Sequence, residues 1–309
     1  MSREERVELD FSRVLTEREF IVTAELDPPR GVNTEDVVEK VKYLSDYVDA
    51  INFTDSPMAR MKMNPVALTH HLKNKFNFKV DFICHLTGRD RNLIGLQSEL
   101  LGGALLGVKN YLFLTGDKPE YGDHPSSTGV FDCDGTALVK LANQLNGGRD
   151  YAGNPLNGPL DITIGAGINP GGNLTVEIEK LKSRIGSGAR FIQTQIVYDP
   201  GVVINFMERI KTIEALWPVK PRILFGIMPL KNYKMATYIH ENVPGVDIPA
   251  PVMKAIKKGD ERTGIKLAKE FVLNIKDYVD GIHIMPMGRM EVVSELVDAI
   301  LTEGNRAIL

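Results

Sequence analysis

The fold class that this sequence predicts is α/β, as one closed (β/α)8 barrel, or TIM barrel, of eight parallel strands each followed by helix. Three observations predict it. Short apolar, β-branched runs alternate with stretches of helical periodicity. Eight such pairs fit within 309 residues, a length at which barrels commonly form a single unit. The apolar runs also stop on polar residues or prolines, as strands do when their C-terminal ends open onto one mouth. A doubly wound open sheet is the second choice. Residues 1–309 are therefore expected to form one domain, with 1–18 as an N-terminal extension.

The elements follow in order. FIVTA, from Phe20, is apolar enough to be buried on both faces, and Pro28-Pro29 forbids continuation of the ladder, so the first strand ends at or just after Glu25. Asn33 or Thr34 caps a helix starting TEDVVEKVKYL, with acidic residues in its first turn. Strand two runs from Val48 to Phe53 and ends at Thr54-Asp55, and a helix follows from Asn64 to Lys75. KVDFICHLT is strand three, ending at His85-Leu86-Thr87, and Arg91 to Leu106 is its helix. Strand four, NYLFLTGD, stops at Thr115-Gly116-Asp117. The long KPEYGDHPSSTGVFDCDG segment after it has the composition of a binding loop or lid. A helix over Gly135–Leu145 leads to strand five, DITIGAGINP, and LTVEIEKLKSRIGSG is the next helix. RFIQTQIVYD is strand six, with Gln195 near its end and a helix over Pro200–Leu216 behind it. RILFGIMPL is strand seven; two or three helical segments between Lys231 and Lys276 separate it from the last strand, GIHIMPMG, and Val292–Leu301 closes the chain as a helix.

Composition narrows the function. A net charge of −3 with interspersed signs leaves no basic footprint for nucleic acid or an anionic membrane. Cys84 and Cys133 stand far apart without metal-ligand spacing, so they read as reduced thiols. No signal-peptide core and no apolar run of 18 residues is present in these 309 residues, and the expected location is cytoplasmic.

Glu25, Thr54, His85, Thr87, Asp117 and Gln195 end otherwise apolar strands and would converge at a barrel mouth. Such a set suits a planar, polar ligand and general acid–base work. Gly165-Ala166-Gly167 with Gly171-Gly172 resembles a dinucleotide fingerprint, but Pro170 interrupts it and no ribose-binding acid follows at the right distance. It reads instead as a barrel loop that accommodates a phosphate or ring. Lys180 and Arg184 share a helix face and can meet a phosphate near the mouth, whereas Lys182 points elsewhere. His70-His71 reads as a helix surface pair, and Met58, Met61 and Met63 as packing residues.

AELDPPRG, INFTDSP, CHLTGRDRN, LFLTGDKP, GARFIQTQIVYD and GIMPLKNYKMATYIHENVPGVDIP, in this order, carry a resemblance over nearly the whole chain. The chain resembles the methylenetetrahydrofolate reductase family, and most closely its short single-domain bacterial form, as in acetogens. The resemblance implies a flavin-dependent reduction of 5,10-methylenetetrahydrofolate to 5-methyltetrahydrofolate, serving methionine synthesis or acetogenic carbon fixation. It implies that Glu25 is the general acid that opens the five-membered ring to an iminium. Asp117 would lie between flavin and pterin, its charge favouring the iminium, and Gln195 would hold the folate. Thr54, His85, Thr115, Gly116, Asp117, Ala166 and Asn169 would hold the flavin, with Lys180 and Arg184 near its phosphate end.

The chain departs from the family pattern at Thr115, where an Arg is frequent, at Gly167 and Gly171, where tyrosine and histidine contacts are expected, and in HIMPMGR. These departures fall on the nucleotide side of the flavin, so FMN competes with FAD as the cofactor. Two electron sources are open: NAD(P)H, or a cysteine-rich iron–sulfur or zinc partner subunit, since two cysteines cannot hold such a cluster alone. A homo-oligomer is compatible with the resemblance. Two other classes compete: a pterin-binding methyltransferase barrel, and a non-catalytic folate-binding scaffold subunit of a redox complex.

Overall fold

The computed structural model describes residues 10–304 except 214, 216 and 218. Its eight parallel strands close in sequence order, each hydrogen-bonded to the next and β8 to β1. They are β1 (Ile21–Leu26), β2 (Ala50–Phe53), β3 (Asp81–Thr87), β4 (Asn110–Leu114), β5 (Thr163–Ile168), β6 (Phe191–Ile196), β7 (Arg222–Ile227) and β8 (Gly281–Ile284). The (β/α)8 expectation is therefore met, and the open-sheet alternative is excluded by the β1–β8 pairing.

The helices fall where periodicity placed them. They are α2 (Glu35–Leu44), α3 (Pro65–Lys75), α4 (Leu93–Leu105), α5 (Gly135–Asn146), α6 (Leu174–Gly186), α7 (Pro200–Lys211), α8 (Tyr233–Asn242), α9 (Ala250–Lys258), α10 (Thr263–Ile275) and α11 (Glu291–Gly304). Asn64, Asn92, Asp134, Asn173 and Asn232 each accept a backbone N–H at the start of their helix, which explains the sharp N-termini. The α2 start is settled by Asn33, whose Oδ1 accepts from the Glu35 N–H at 2.9 Å. Helix α7 ends at Lys211, short of the expected Leu216, which lies outside the described residues.

Strand parity divides the core. Val22, Ala24, Leu26, Phe82, Cys84, Leu86, Ile164, Ala166 and Ile168 pack outward against the helices. Ile21, Ala50, Ile83, Leu112, Phe191 and Leu224 point inward and form the barrel floor. Gly165 leaves room there: a Cβ would meet the Phe191 ring at 2.1 Å. The floor is plugged from below by a short helix, α1 (Phe11–Glu17), which lies within the expected N-terminal extension of residues 1–18. Phe11, Val14 and Leu15 join the floor cluster, and Phe11 meets Phe191 edge to face at 5.1 Å. Asp81 anchors the plug, accepting from the Phe11 N–H at 3.1 Å and from Asn110 and Lys73 at 2.8 Å each. Residues 1–9 lie outside the described residues. Among the described residues, no helix is long and apolar enough to cross a membrane.

Candidate active site

Above the floor the inward positions turn polar. Thr23, Asn52, His85, Gln193 and His283 are all buried and form one hydrogen-bonded belt across the barrel. Asn52 Nδ2 donates to Gln193 Oε1 at 2.7 Å and lies 2.9 Å from His85 Nε2. Gln193 Nε2 donates to Thr23 Oγ1 at 3.0 Å and to Asn52 Oδ1 at 3.2 Å. Thr23 Oγ1 lies 2.9 Å from His283 Nδ1, and His283 Nε2 lies 3.6 Å from Glu25 Oε2. Glu25 thus tops a polar stack that no apolar barrel would need.

Over this belt opens a cavity of about 400 Å3. It brings together Glu25, His85, Thr115, Asn169, Lys180, Arg184 and Gln195, seven of the residues expected from sequence. His283, Gln193, Glu177 and Met285 line it as well and were not anticipated. Burial pushes the Glu25 carboxyl up, but the facing His283 ring, with the His85 imidazole behind it, outweighs burial and holds the group below its ordinary value. Burial also pushes the His85 imidazole down to about 4, so at neutral pH that ring is uncharged and the His283 contact carries the effect.

Gln195 sits where β6 slips register against β7 between Gln193 and Ile196, a bulge that turns a side chain toward the mouth. Its Oε1 accepts from the Ile196 N–H at 3.0 Å. On the neighbouring β5 side Glu177, on α6, accepts from the Asn169 N–H at 3.0 Å and from Lys180 at 2.6 Å. Arg184 donates to the Gly167 carbonyl, and its Nε donates to Thr136 Oγ1 at 3.2 Å. Burial lowers the Arg184 pKa, with the charges of Glu177 and Asp134 opposing it. Lys182 turns away to pair with Glu179 at 2.7 Å.

The other expected site residues lie off the cavity. Ala166 faces the helices, because the inward positions of β5 are Gly165 and Gly167. Thr54 is buried and donates to Asp27 Oδ1 at 2.9 Å. Gly116, at φ +91°, turns the chain out of β4; a Cβ there would press at 3.0 Å on Thr87 and Arg89. Asp117 is exposed, and its Oδ2 accepts from the Met58 N–H at 2.8 Å.

That last bond belongs to a rim in which the β2 and β4 loops interlock. Asp123 accepts from the Met61 N–H at 3.1 Å and pairs with Arg30 at 2.8 Å. Asp55 accepts from the Thr87 N–H, Thr87 Oγ1 and Arg91 NH1, each at 2.9 Å. The rim holds Ser56, Met58 and Ala59 at positive φ, where side chains are strained. Met58 and Met61 are exposed on it, against the expectation that they pack.

A flavin needs a flat slot at the strand ends, hydrogen-bond donors along it and cations at its phosphate end. The residues fit the phosphate end. At Gly167 the β5 wall is covered by a neighbouring side chain, since a Cβ there would meet Leu114 Cδ2 at 2.8 Å. Asn169, Lys180 and Arg184 supply the donors and positive charge on one side.

The profile of the methylenetetrahydrofolate reductase family matches residues 10–301. The chain belongs to that family. It is 28% identical over 210 residues to Methylenetetrahydrofolate reductase (NADH) 1 of Arabidopsis thaliana, covering 63% of this chain and 34% of the relative. It is 23% identical over 319 residues to a probable methylenetetrahydrofolate reductase (NADPH) of Caenorhabditis elegans, covering 98% of this chain and 45% of that one. The chain thus spans less than half the length of these two relatives. Among solved structures, a Clostridium thermocellum protein described as binding two copies of 5-methyl-5,6,7,8-tetrahydrofolic acid superposes with a TM-score of 0.63. Its identity is 13%, over 94% of this chain and 96% of that one, so the likeness is one of fold.

Proposed function

We propose that this chain reduces 5,10-methylenetetrahydrofolate to 5-methyltetrahydrofolate. The observation that carries the reading is Glu25 at the top of a buried polar belt, beneath a mouth cavity, in a chain of this family. Bound flavin, FAD or FMN, would carry the electron pair, supplied by NAD(P)H or by a cysteine-rich iron–sulfur or zinc partner subunit, and deliver it as hydride.

The protein's own residues would do the rest. Asn169, Lys180 and Arg184 would hold the phosphate end of the cofactor, with His85 and Thr115 along its ring. Gln195 would hold the pterin. Glu25 would protonate the ring nitrogen that leaves the methylene bridge, so that hydride meets an iminium carbon; one proton and one hydride then account for the product. Without ligand the Glu25 carboxyl is ionised at neutral pH, as its lowered pKa requires. Its side chain keeps 21% of its surface exposed. A planar ligand stacked over it would strip that water and raise the pKa toward that of a working acid. Asp117 would add negative charge at the rim.

The test is the absorption spectrum and extracted cofactor of protein produced with excess riboflavin, followed by product analysis with methylenetetrahydrofolate and reduced donor. Stoichiometric flavin and 5-methyltetrahydrofolate are expected, and mass analysis separates FMN from FAD. A corrinoid band would favour the methyltransferase barrel. A colourless protein that binds folate without turnover would favour the scaffold, and either result would overturn the proposal.

A further inference from the structure

The belt beneath Glu25 contains two primary amides at its centre, and their geometry constrains the protons on both barrel histidines. A primary amide offers two hydrogens and one oxygen. Asn52 spends one hydrogen on Gln193 Oε1 at 2.7 Å, leaving the other for His85 Nε2 at 2.9 Å. His85 Nε2 must then be bare and the ring hydrogen must sit on Nδ1. Gln193 spends its hydrogens on Asn52 Oδ1 at 3.2 Å and Thr23 Oγ1 at 3.0 Å. Among the described residues the other partner of the Thr23 hydroxyl is His283 Nδ1 at 2.9 Å, so its one hydrogen goes to that nitrogen. The His283 hydrogen is therefore on Nε2, facing Glu25 Oε2 at 3.6 Å.

Turning one amide alone would set the two NH2 groups against each other and the two oxygens against each other at about 3 Å, away from water, at a cost of about 1–3 kcal/mol for each group left unpaired. The amides therefore turn together or not at all. If both turn, every bond in the belt reverses. His85 then carries its hydrogen on Nε2, Thr23 donates to Gln193, and His283 carries its hydrogen on Nδ1. Its bare Nε2 becomes an acceptor, which suits a protonated Glu25. We propose that the Asn52–Gln193 amide pair is a positioning device that fixes which nitrogen of each barrel histidine carries its hydrogen, tying the proton state of Glu25 to the tautomer of His85.

Asn52 and Gln193 touch no reacting atom in this scheme; they act through the two rings. Under the proposed reaction, delivery of the Glu25 proton and the hydrogen presented by His85 would change together. That consequence rests on the functional reading above, whereas the tautomers themselves do not. Burial keeps His85 uncharged at neutral pH, so its tautomer is a well-defined observable.

The test is nitrogen-15 NMR of the full chain labelled at histidine, which distinguishes the protonated from the bare ring nitrogen. The His85 and His283 signals are assigned by their loss in His85→Gln and His283→Gln. With both rings neutral, the expected result is a single form at each, Nδ1–H at His85 and Nε2–H at His283. Hydrogens on like-named nitrogens of the two rings would break the circuit and overturn the proposal. Thr23→Val removes the leg that connects the amide pair to His283, and a second His85 tautomer should appear although Thr23 makes no bond to His85; Thr23→Ser should restore one form. An unchanged His85 spectrum in Thr23→Val would also overturn it. The native measurement stands even if the valine variant does not fold, and none of these readouts depends on whether the chain reduces folate.

Discussion

Acidification should destabilise this barrel through His85, and the size of the effect can be worked out. The ring is 5% exposed, and burial pushes its pKa from 6.5 down to about 4, the charge of Glu25 opposing and that of His283 assisting the shift. The unfolded chain takes up a proton near pH 6.5, but the folded chain does not do so until about pH 4. Within that window the unfolded state binds more protons, so stability falls as the pH falls, and the contribution levels off below about 4. At about 1.4 kcal/mol per pH unit, the whole window costs about 3 kcal/mol. That is a sizeable part of the 5–15 kcal/mol typical of a folded domain. Urea unfolding at pH 7, 6 and 5, with native protein and His85→Gln side by side, isolates the effect. Glu25 and Asp81, whose pKa values are lowered from 4.5 and 3.8, lose their contributions only at more acid pH. The native protein should lose about 1.4 kcal/mol more than the variant for each unit between pH 6.5 and 4.5. Parallel lines would mean that His85 titrates normally and that the belt is open to water.

Three further outcomes are expected. Glu25→Gln should accept electrons from NADH or an artificial donor at close to the normal rate, while reoxidation by methylenetetrahydrofolate falls at least about a hundredfold; stopped-flow measurement of the two half-reactions checks this, and equal loss in both would make Glu25 a pocket-shaping residue. Asp117→Asn should make bound flavin easier to reduce while leaving thermal unfolding of the barrel unchanged, because the carboxylate sits exposed on the rim; an unchanged or lowered midpoint potential would put its charge out of reach of the ring. Phe11→Ala should cost about 3–5 kcal/mol in urea unfolding, as loss of a buried phenylalanine does, without altering the affinity for flavin, and a neutral result would mean that α1 is not part of the cooperative barrel.

The strands and their order were legible because all eight are buried on both faces, and such strands read as continuous apolar runs between turn residues. Helix α1 was not. Its apolar positions, Phe11, Val14 and Leu15, have helical spacing, but seven residues are too few for periodicity to stand out among the charges of FSRVLTE. Its fold depends on a tertiary partner, the buried Phe191 ring for which Gly165 leaves room at the floor. The rim shows a related limit. INFTDSP and CHLTGRDRN look like ligand-binding segments, yet Asp55, Arg89 and Arg91 mostly bind the loops to one another.

At the site itself, what could be read was the end of each strand, and what could not be read was the layer beneath. A strand alternates its faces, so an inward Glu25 makes Thr23 inward, whereas on β6 the register slip between Gln193 and Ile196 breaks the count and Gln195 does not point back to Gln193. The same parity counts against Ala166, since its neighbours Gly165 and Gly167 take the inward places. Parity alone does not pair strands across a barrel. Gln193 meets Thr23 across 170 positions of sequence, and Thr23 meets His283 across 260. No local pattern encodes those contacts; they exist because the ring closes. A polar residue at an inward position of an otherwise apolar strand is costly unless a partner waits opposite, and five such residues in one layer can be accommodated only as a connected set. The identity of that layer therefore follows from closure plus parity, and its chemistry, two histidines bridged by two amides beneath one carboxylate, is where the function of this chain is most open to test.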